Sequence, residues 1–151
     1  LYLHYKDHLD QLYKKLPHLK PNFEKSIFPC ATFNFGSNVW TFKHRDLMNC
    51  PYGLCAITAL GCFDSKKGGH IVLWELKLIV EFPHTCTIMI PSAMIIHSNI
   101  PIAEGDSCSS FTQFLAGGLL CWVDNRFQME KEMAKEDPTA FAAPKEFKAG
   151  Q

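Results

Sequence analysis

The chain has 151 residues, 47% hydrophobic and 13% aromatic, which is enough for one domain with a genuine core and too few for two large ones. Fifteen Lys and Arg balance fifteen Asp and Glu, so the net charge advertises no polyanionic partner. The cysteines, Cys30, Cys50, Cys55, Cys62, Cys86, Cys108 and Cys121, are odd in number, and several sit in apolar runs such as Leu54-Cys55-Ala56-Ile57; they read as buried thiols of a reducing compartment rather than a disulfide framework.

In chain order, Leu3, Leu9, Leu12, Tyr13 and Leu16 recur at roughly helical intervals among Lys and Asp. They predict one amphipathic covering helix, ended before Pro17 or Pro21, within a segment 1–28. This polar start has no signal-peptide core, and the longest apolar stretch, Phe114 to Val123, is too short to span a bilayer, so an intracellular protein is expected. The chain begins at Leu1 rather than Met, as a fragment of a longer protein would.

From Pro29 onward the texture changes to short runs of Phe, Ile, Val, Thr and Trp punctuated by Gly, Pro, Asn and Asp. Strands are expected near 31–35, 38–44, 54–63, 70–82, 86–90, 94–100, 108–115 and 118–124. Gly68-Gly69 opens the long fourth run, Phe82-Pro83-His84 closes it, and Pro91-Ser92 precedes the run holding His97. Strands in this number suit a mainly β domain, a sandwich or jelly roll over 29–126. Beyond Arg126, Phe127 to Met133 reads as a short helix broken at Asp137-Pro138, and the Ala-, Lys- and Pro-containing tail of 127–151 as loosely ordered.

One constellation carries chemistry. In His44-Arg45-Asp46, strand alternation turns His44 and Asp46 to one face and Arg45 away, and a later strand brings His97 back over them. Two imidazoles and a carboxylate are the facial set of non-haem Fe(II) sites, which leave positions open for a co-substrate and O₂. A His-x-Asp triplet alone is common in a chain with seven histidines, and His97 taken alone reads more readily as a core histidine. Two other arrangements are conceivable: a zinc site from Cys50, Cys55 and His44, which lacks a Cys-x₂-Cys pair, and a Cys108–His97 nucleophilic dyad, which lacks an orienting third group.

The stretches Phe28-Pro29-Cys30-Ala31-Thr32-Phe33-Asn34-Phe35-Gly36, Thr41 to Asn49, Gly68-Gly69-His70-Ile71-Val72-Leu73-Trp74 and Ser110-Phe111-Thr112-Gln113-Phe114 together resemble the fungal TET/JBP-like oxygenases. These are a transposon-associated branch of the 2-oxoglutarate- and Fe(II)-dependent dioxygenases, and the resemblance covers about residues 28–126. It implies a double-stranded β-helix with His44, Asp46 and His97 as iron ligands, 2-oxoglutarate as co-substrate, and oxidation of a methyl group, 5-methylcytosine in DNA, in the nucleus. It places Asn49 where relatives hold the target base and Phe114 where an aromatic ring stacks on the flipped base. A turn-capping Asn and a core Phe are the plainer readings of these two.

One position departs from the pattern. Where the family carries an arginine whose fork grips the far carboxylate of 2-oxoglutarate, this chain has Cys108, with Ser110 matching the companion hydroxyl. An unpaired buried carboxylate costs about 3–5 kcal/mol. Arg126 or Lys77 could supply charge from another direction, although strand alternation puts Lys77 beside Glu75 in a surface pair. Between Cys30 and Asn125 five basic residues (Lys43, Arg45, Lys66, Lys67, Lys77) are outnumbered by seven acidic ones, so DNA as a partner rests on the resemblance and not on a basic face. The alternatives are a degenerate, non-catalytic member serving as a metal-binding or interaction module, and a cupin-like domain without oxygenase chemistry.

Overall fold

The computed structural model describes residues 1–136; the Asp137-Pro138 break and the tail lie outside the described residues. Helix α1, Tyr2–Lys15, stops ahead of Pro17 with Lys14 and Lys15 in its last turn, where cations complement the helix dipole. Tyr5, His8, Leu9 and Leu12 form its buried stripe, spaced by three and four residues as one helix face requires. Seven strands follow, β1 Cys30–Asn34, β2 Cys55–Cys62, β3 Ile71–Leu73, β4 Leu78–Val80, β5 Thr87–Ile90, β6 His97–Asn99 and β7 Ser107–Phe114, then α2 Gly117–Asp124 and α3 Glu130–Glu136.

The strands form two antiparallel sheets, ordered β1-β7-β2-β5 and β4-β3-β6. Ala59, Ile90 and Cys108 from the first sheet pack with Ile71 and Leu73 from the second, and Phe63, Phe82 and Ile102 from the connections complete this core. Each large apolar side chain fully buried there contributes about 1.5–3 kcal/mol. Two sheets facing each other over one core make a mainly β, jelly-roll-like domain with flanking helices, the class expected from the short-strand texture.

The glycine pair before β3 is explained by close packing. Gly69 has φ +73°, and a Cβ there would stand 2.7 Å from the Phe63 ring, so both the backbone conformation and the contact call for glycine.

Several elements differ from expectation. The expected strand at 118–124 is α2: Leu120 and Val123 are its buried residues, and Val123 packs with Leu9 and Leu12 of α1. A short apolar run does not by itself distinguish helix from strand, and packing on α1 decides it. The segment 38–44 is not a strand; it joins the sheets through isolated bridges at Asn38–Cys108 and His44–His97 and through hydrogen bonds of Val39 and Thr41 to the Asn99 side chain. The run 70–82 is a hairpin, β3 and β4, turning through Trp74 to Lys77, with Lys77 at φ 53°. The helix expected from Phe127 begins at Glu130, because Arg126 (φ 56°) and Phe127 (φ 66°) take left-handed conformations that no α-helix accommodates.

All seven cysteines are free, but only Cys50, Cys55 and Cys108 are buried; Cys62, Cys86 and Cys121 are exposed and Cys30 is half-buried. Cys62 closes β2, Cys86 lies in the connection before β5 and Cys121 sits on the exposed side of α2. Helix α1 is anchored by Tyr5, whose hydroxyl accepts the Leu54 N–H (3.3 Å), and by a 2.8 Å bond between His8 Nε2 and Asp124 Oδ1 at the end of α2. Among the described residues no helix is long and apolar enough to cross a membrane.

Candidate metal centre

His44 and His97 come together because their backbones pair. His44 donates its N–H to the His97 carbonyl (3.0 Å) and His97 donates to that of His44 (2.9 Å), and their rings lie 4.4 Å apart, centroid to centroid. Asp46 follows on the same side, its N–H bonded to the Ser92 carbonyl (3.0 Å). Its carboxylate oxygens stand 3.5 Å from His44 Nε2 and 3.9 Å from His97 Nε2. One ligand atom from each of the three residues lies within 4.8 Å of the other two. Ligands about 2.1 Å from a shared ion and at right angles are about 3 Å apart, so small side-chain movements close the set on a metal.

The tautomers suit that role. His44 Nδ1 bonds to the Phe42 carbonyl at 2.7 Å and His97 Nδ1 to the Ile95 carbonyl at 3.0 Å. A carbonyl only accepts, so each Nδ1 carries a proton, and each Nε2 is the ring nitrogen that faces Asp46. Bonds of this kind orient metal-ligating imidazoles and raise their basicity. Asn49 orients the carboxylate, with Nδ2 3.3 Å from Asp46 Oδ2 and 3.0 Å from Ser92 Oγ.

Outside the triad a second set of bonds ties its two segments together. Arg45 pairs with Glu75 at 2.8 Å, and the other oxygen of Glu75 accepts the Ile96 N–H at 2.8 Å. The Arg45 guanidinium is the main cause holding the Glu75 carboxyl below the usual range. Asn99 Oδ1 accepts both the N–H (2.6 Å) and the hydroxyl (2.8 Å) of Thr41, fixing the chain that leads into His44.

The triad lines a cavity of about 330 Å³ between the two sheets. Asn49, Cys108, Ser110 and Phe114 also line it. Cys108, Ser110, Thr112 and Phe114 share one face of β7 by alternation, while Phe111 lies on the other and stacks against Phe33 at 4.7 Å. Lys77 and Arg126 are exposed and border no part of the cavity. Nor do the cations beside His44: Lys43 sits 4.2 Å over the Trp74 ring and Arg45 is held by Glu75. Among the described residues the cavity has no lysine or arginine in its wall.

The competing constellations are not assembled. Among the described residues His44, Asp46 and His97 are the only group of metal-ligating side chains gathered around one point. Burial pushes the Cys55 thiol up to about 12, despite its hydrogen bond to Ser92, and raises that of Cys50, which disfavours the thiolates a zinc site uses. Cys108 is likewise raised by burial, and its sulfur bonds the Ser109 carbonyl (3.7 Å) rather than His97. Ser92, Asn99, Thr41 and Glu75 were not among the expected site residues. Their roles arise from contacts 20 or more positions away in the chain, for which local pattern holds no signal.

No protein-family model matches the chain, and no curated protein matches it. Among solved structures the chain is similar to a viral collagen prolyl hydroxylase from Paramecium bursaria Chlorella virus-1 in complex with 2OG, at 12% identity and TM-score 0.41, covering 74% of this chain and 70% of that one. A truncated form of the same hydroxylase aligns at 11% identity and TM-score 0.35, covering 74% and 67%.

Proposed function

We propose that this chain is an oxygenase domain that holds Fe(II) through His44, Asp46 and His97, uses a 2-oxo acid as co-substrate, 2-oxoglutarate by family resemblance, and oxidises a methyl group. The observation that carries the reading is the convergence of two δ-protonated imidazoles and one carboxylate at the wall of a cavity. A bound Fe(II) supplies the activation of O₂ coupled to oxidative decarboxylation of the 2-oxo acid. The chain's own residues do the rest. Carbonyls of Phe42 and Ile95 hold the imidazoles in register, Asn49 holds the carboxylate, and Ile57, Ala59, Phe63, Ile71 and Phe82 give part of the cavity an apolar wall.

The finer reading, 5-methylcytosine in DNA and a nuclear location, rests on the resemblance. It is supported by Phe114 in the cavity wall, where a ring could stack on an extruded base. The lysine- and arginine-free wall favours a second reading, a metal-binding module without oxidative turnover, since a buried second carboxylate would go unpaired there.

The test is to load the protein anaerobically with Fe(II), add 2-oxo acid and O₂ with a methylated oligonucleotide, and follow CO₂ release and oxidised base by mass spectrometry. Stoichiometric metal binding with both products supports the oxygenase. Metal binding with neither product, across the 2-oxo acids tried, leaves the module. Absence of metal binding sinks both.

A further inference from the structure

The part of the cavity wall around Cys108 belongs to the hydrophobic core. Ala59, Phe63, Ile71, Phe82 and Cys108 belong both to the cavity wall and to the main buried cluster. Several polar side chains of the wall already have partners: Asn34 donates to Ser110 (2.9 Å), Asn99 accepts from Thr41 and donates to the Val39 carbonyl, and Ser98 accepts from Trp74; Thr32 and Thr112 add neutral hydroxyls but no charge. Among the described residues the one carboxylate in the wall is Asp46, a charge of the same sign as a second carboxylate on a ligand.

We infer that the cavity selects a 2-oxo acid with an uncharged, apolar tail in preference to the dicarboxylate 2-oxoglutarate. The inference rests on the oxygenase reading of the metal centre and names the co-substrate class of that same site. The 2-oxo carboxylate end is common to both acids, so discrimination comes from the tail alone. An apolar tail gains from entering this wall, whereas a second carboxylate loses its hydration there and meets no cation among the described residues. Cys108 is the specificity-determining position. Its buried thiol is neutral and belongs to the apolar cluster.

The experiment uses the whole chain, loaded anaerobically with Fe(II) after metal binding has been established separately with Co(II). 4-Methyl-2-oxopentanoate and 2-oxoglutarate are titrated in turn, and the metal-to-ligand charge-transfer band reports binding without turnover. The expected result is half-saturation by 4-methyl-2-oxopentanoate at a concentration on the order of tenfold lower or more, with the preference reversed in Cys108→Arg. If that variant does not fold, the wild-type ratio alone decides. Equal or tighter binding of 2-oxoglutarate to wild type overturns the inference and leaves the oxygenase reading standing. No band with either acid in protein that binds Co(II) and Fe(II) overturns both.

Discussion

His44 and His97 face each other as antiparallel partners, each giving its backbone N–H to the other's carbonyl, so two of the three candidate ligands sit on a single rung of β structure. The geometry of the centre is therefore a property of backbone pairing, and the metal is expected to find a site already formed.

Replacing a ligand should abolish metal-linked stabilisation. At a metal concentration about 100 times its Kd, the wild-type protein gains about 2.7 kcal/mol against unfolding. Asp46→Ala and His97→Ala should show no difference between melts with Co(II) and with chelator, while Arg45→Ala keeps the gain. A metal-dependent shift retained in Asp46→Ala would remove the carboxylate from the site.

Asn49 should act through Asp46. Asn49→Ala is expected to weaken Co(II) binding about 10- to 100-fold, the usual cost of losing a group that orients a ligand. A residue that only holds substrate would leave the Co(II) Kd unchanged and raise KM for the oligonucleotide. Calorimetric metal titration of the variant separates these outcomes.

The contact between α1 and α2 should be pH-dependent. Burial by itself would lower the pKa of His8, but its hydrogen bond to Asp124, the His4 carbonyl and nearby negative charge outweigh it and leave the value raised. A raised folded-state pKa contributes stability that is fully present below the ordinary histidine range, about 6.5, and is lost as pH rises through the folded value. Urea midpoints should therefore fall between pH 6 and pH 8. In Asp124→Asn this dependence should flatten, with a loss of about 1 kcal/mol at pH 6. An unchanged slope in the variant would disconnect His8 from the effect.

Gly69→Ala should cost about 1–3 kcal/mol, because φ +73° is strained for alanine and the new methyl meets the Phe63 ring. Since Phe63 lines the cavity, 4-methyl-2-oxopentanoate binding should weaken with stability. Chemical denaturation and the charge-transfer titration read the two effects.

Much of the site could be read from local pattern, and the exceptions have physical causes. Period-two alternation along β7 puts Cys108, Ser110, Thr112 and Phe114 on the cavity wall, as a strand there implies. His44 and Asp46 do lie on one side, although the strand expected to put them there is absent, and a bridge to His97 does that work instead. The helix α2 was hidden in an apolar run whose partner, α1, lies more than a hundred residues earlier. The turn between β3 and β4 contains neither Gly nor Pro and relies on Lys77 in a left-handed conformation, so no turn residue marks it. Orienting groups such as Ser92, Asn99 and Glu75 depend on which distant segments meet, and local spacing does not encode that.

Two of the three candidate ligands ride on a stretch outside both sheets, held by a rung at His44, by the Asp46 N–H on Ser92 and by side-chain bonds at Thr41 and Arg45. Such a stretch opens at lower free energy than the paired strands beside it. An ion clasped between it and β6 fastens it down, so amide hydrogen exchange across residues 38–49 becomes a direct gauge of occupancy, slow when the centre is filled and fast when it is stripped.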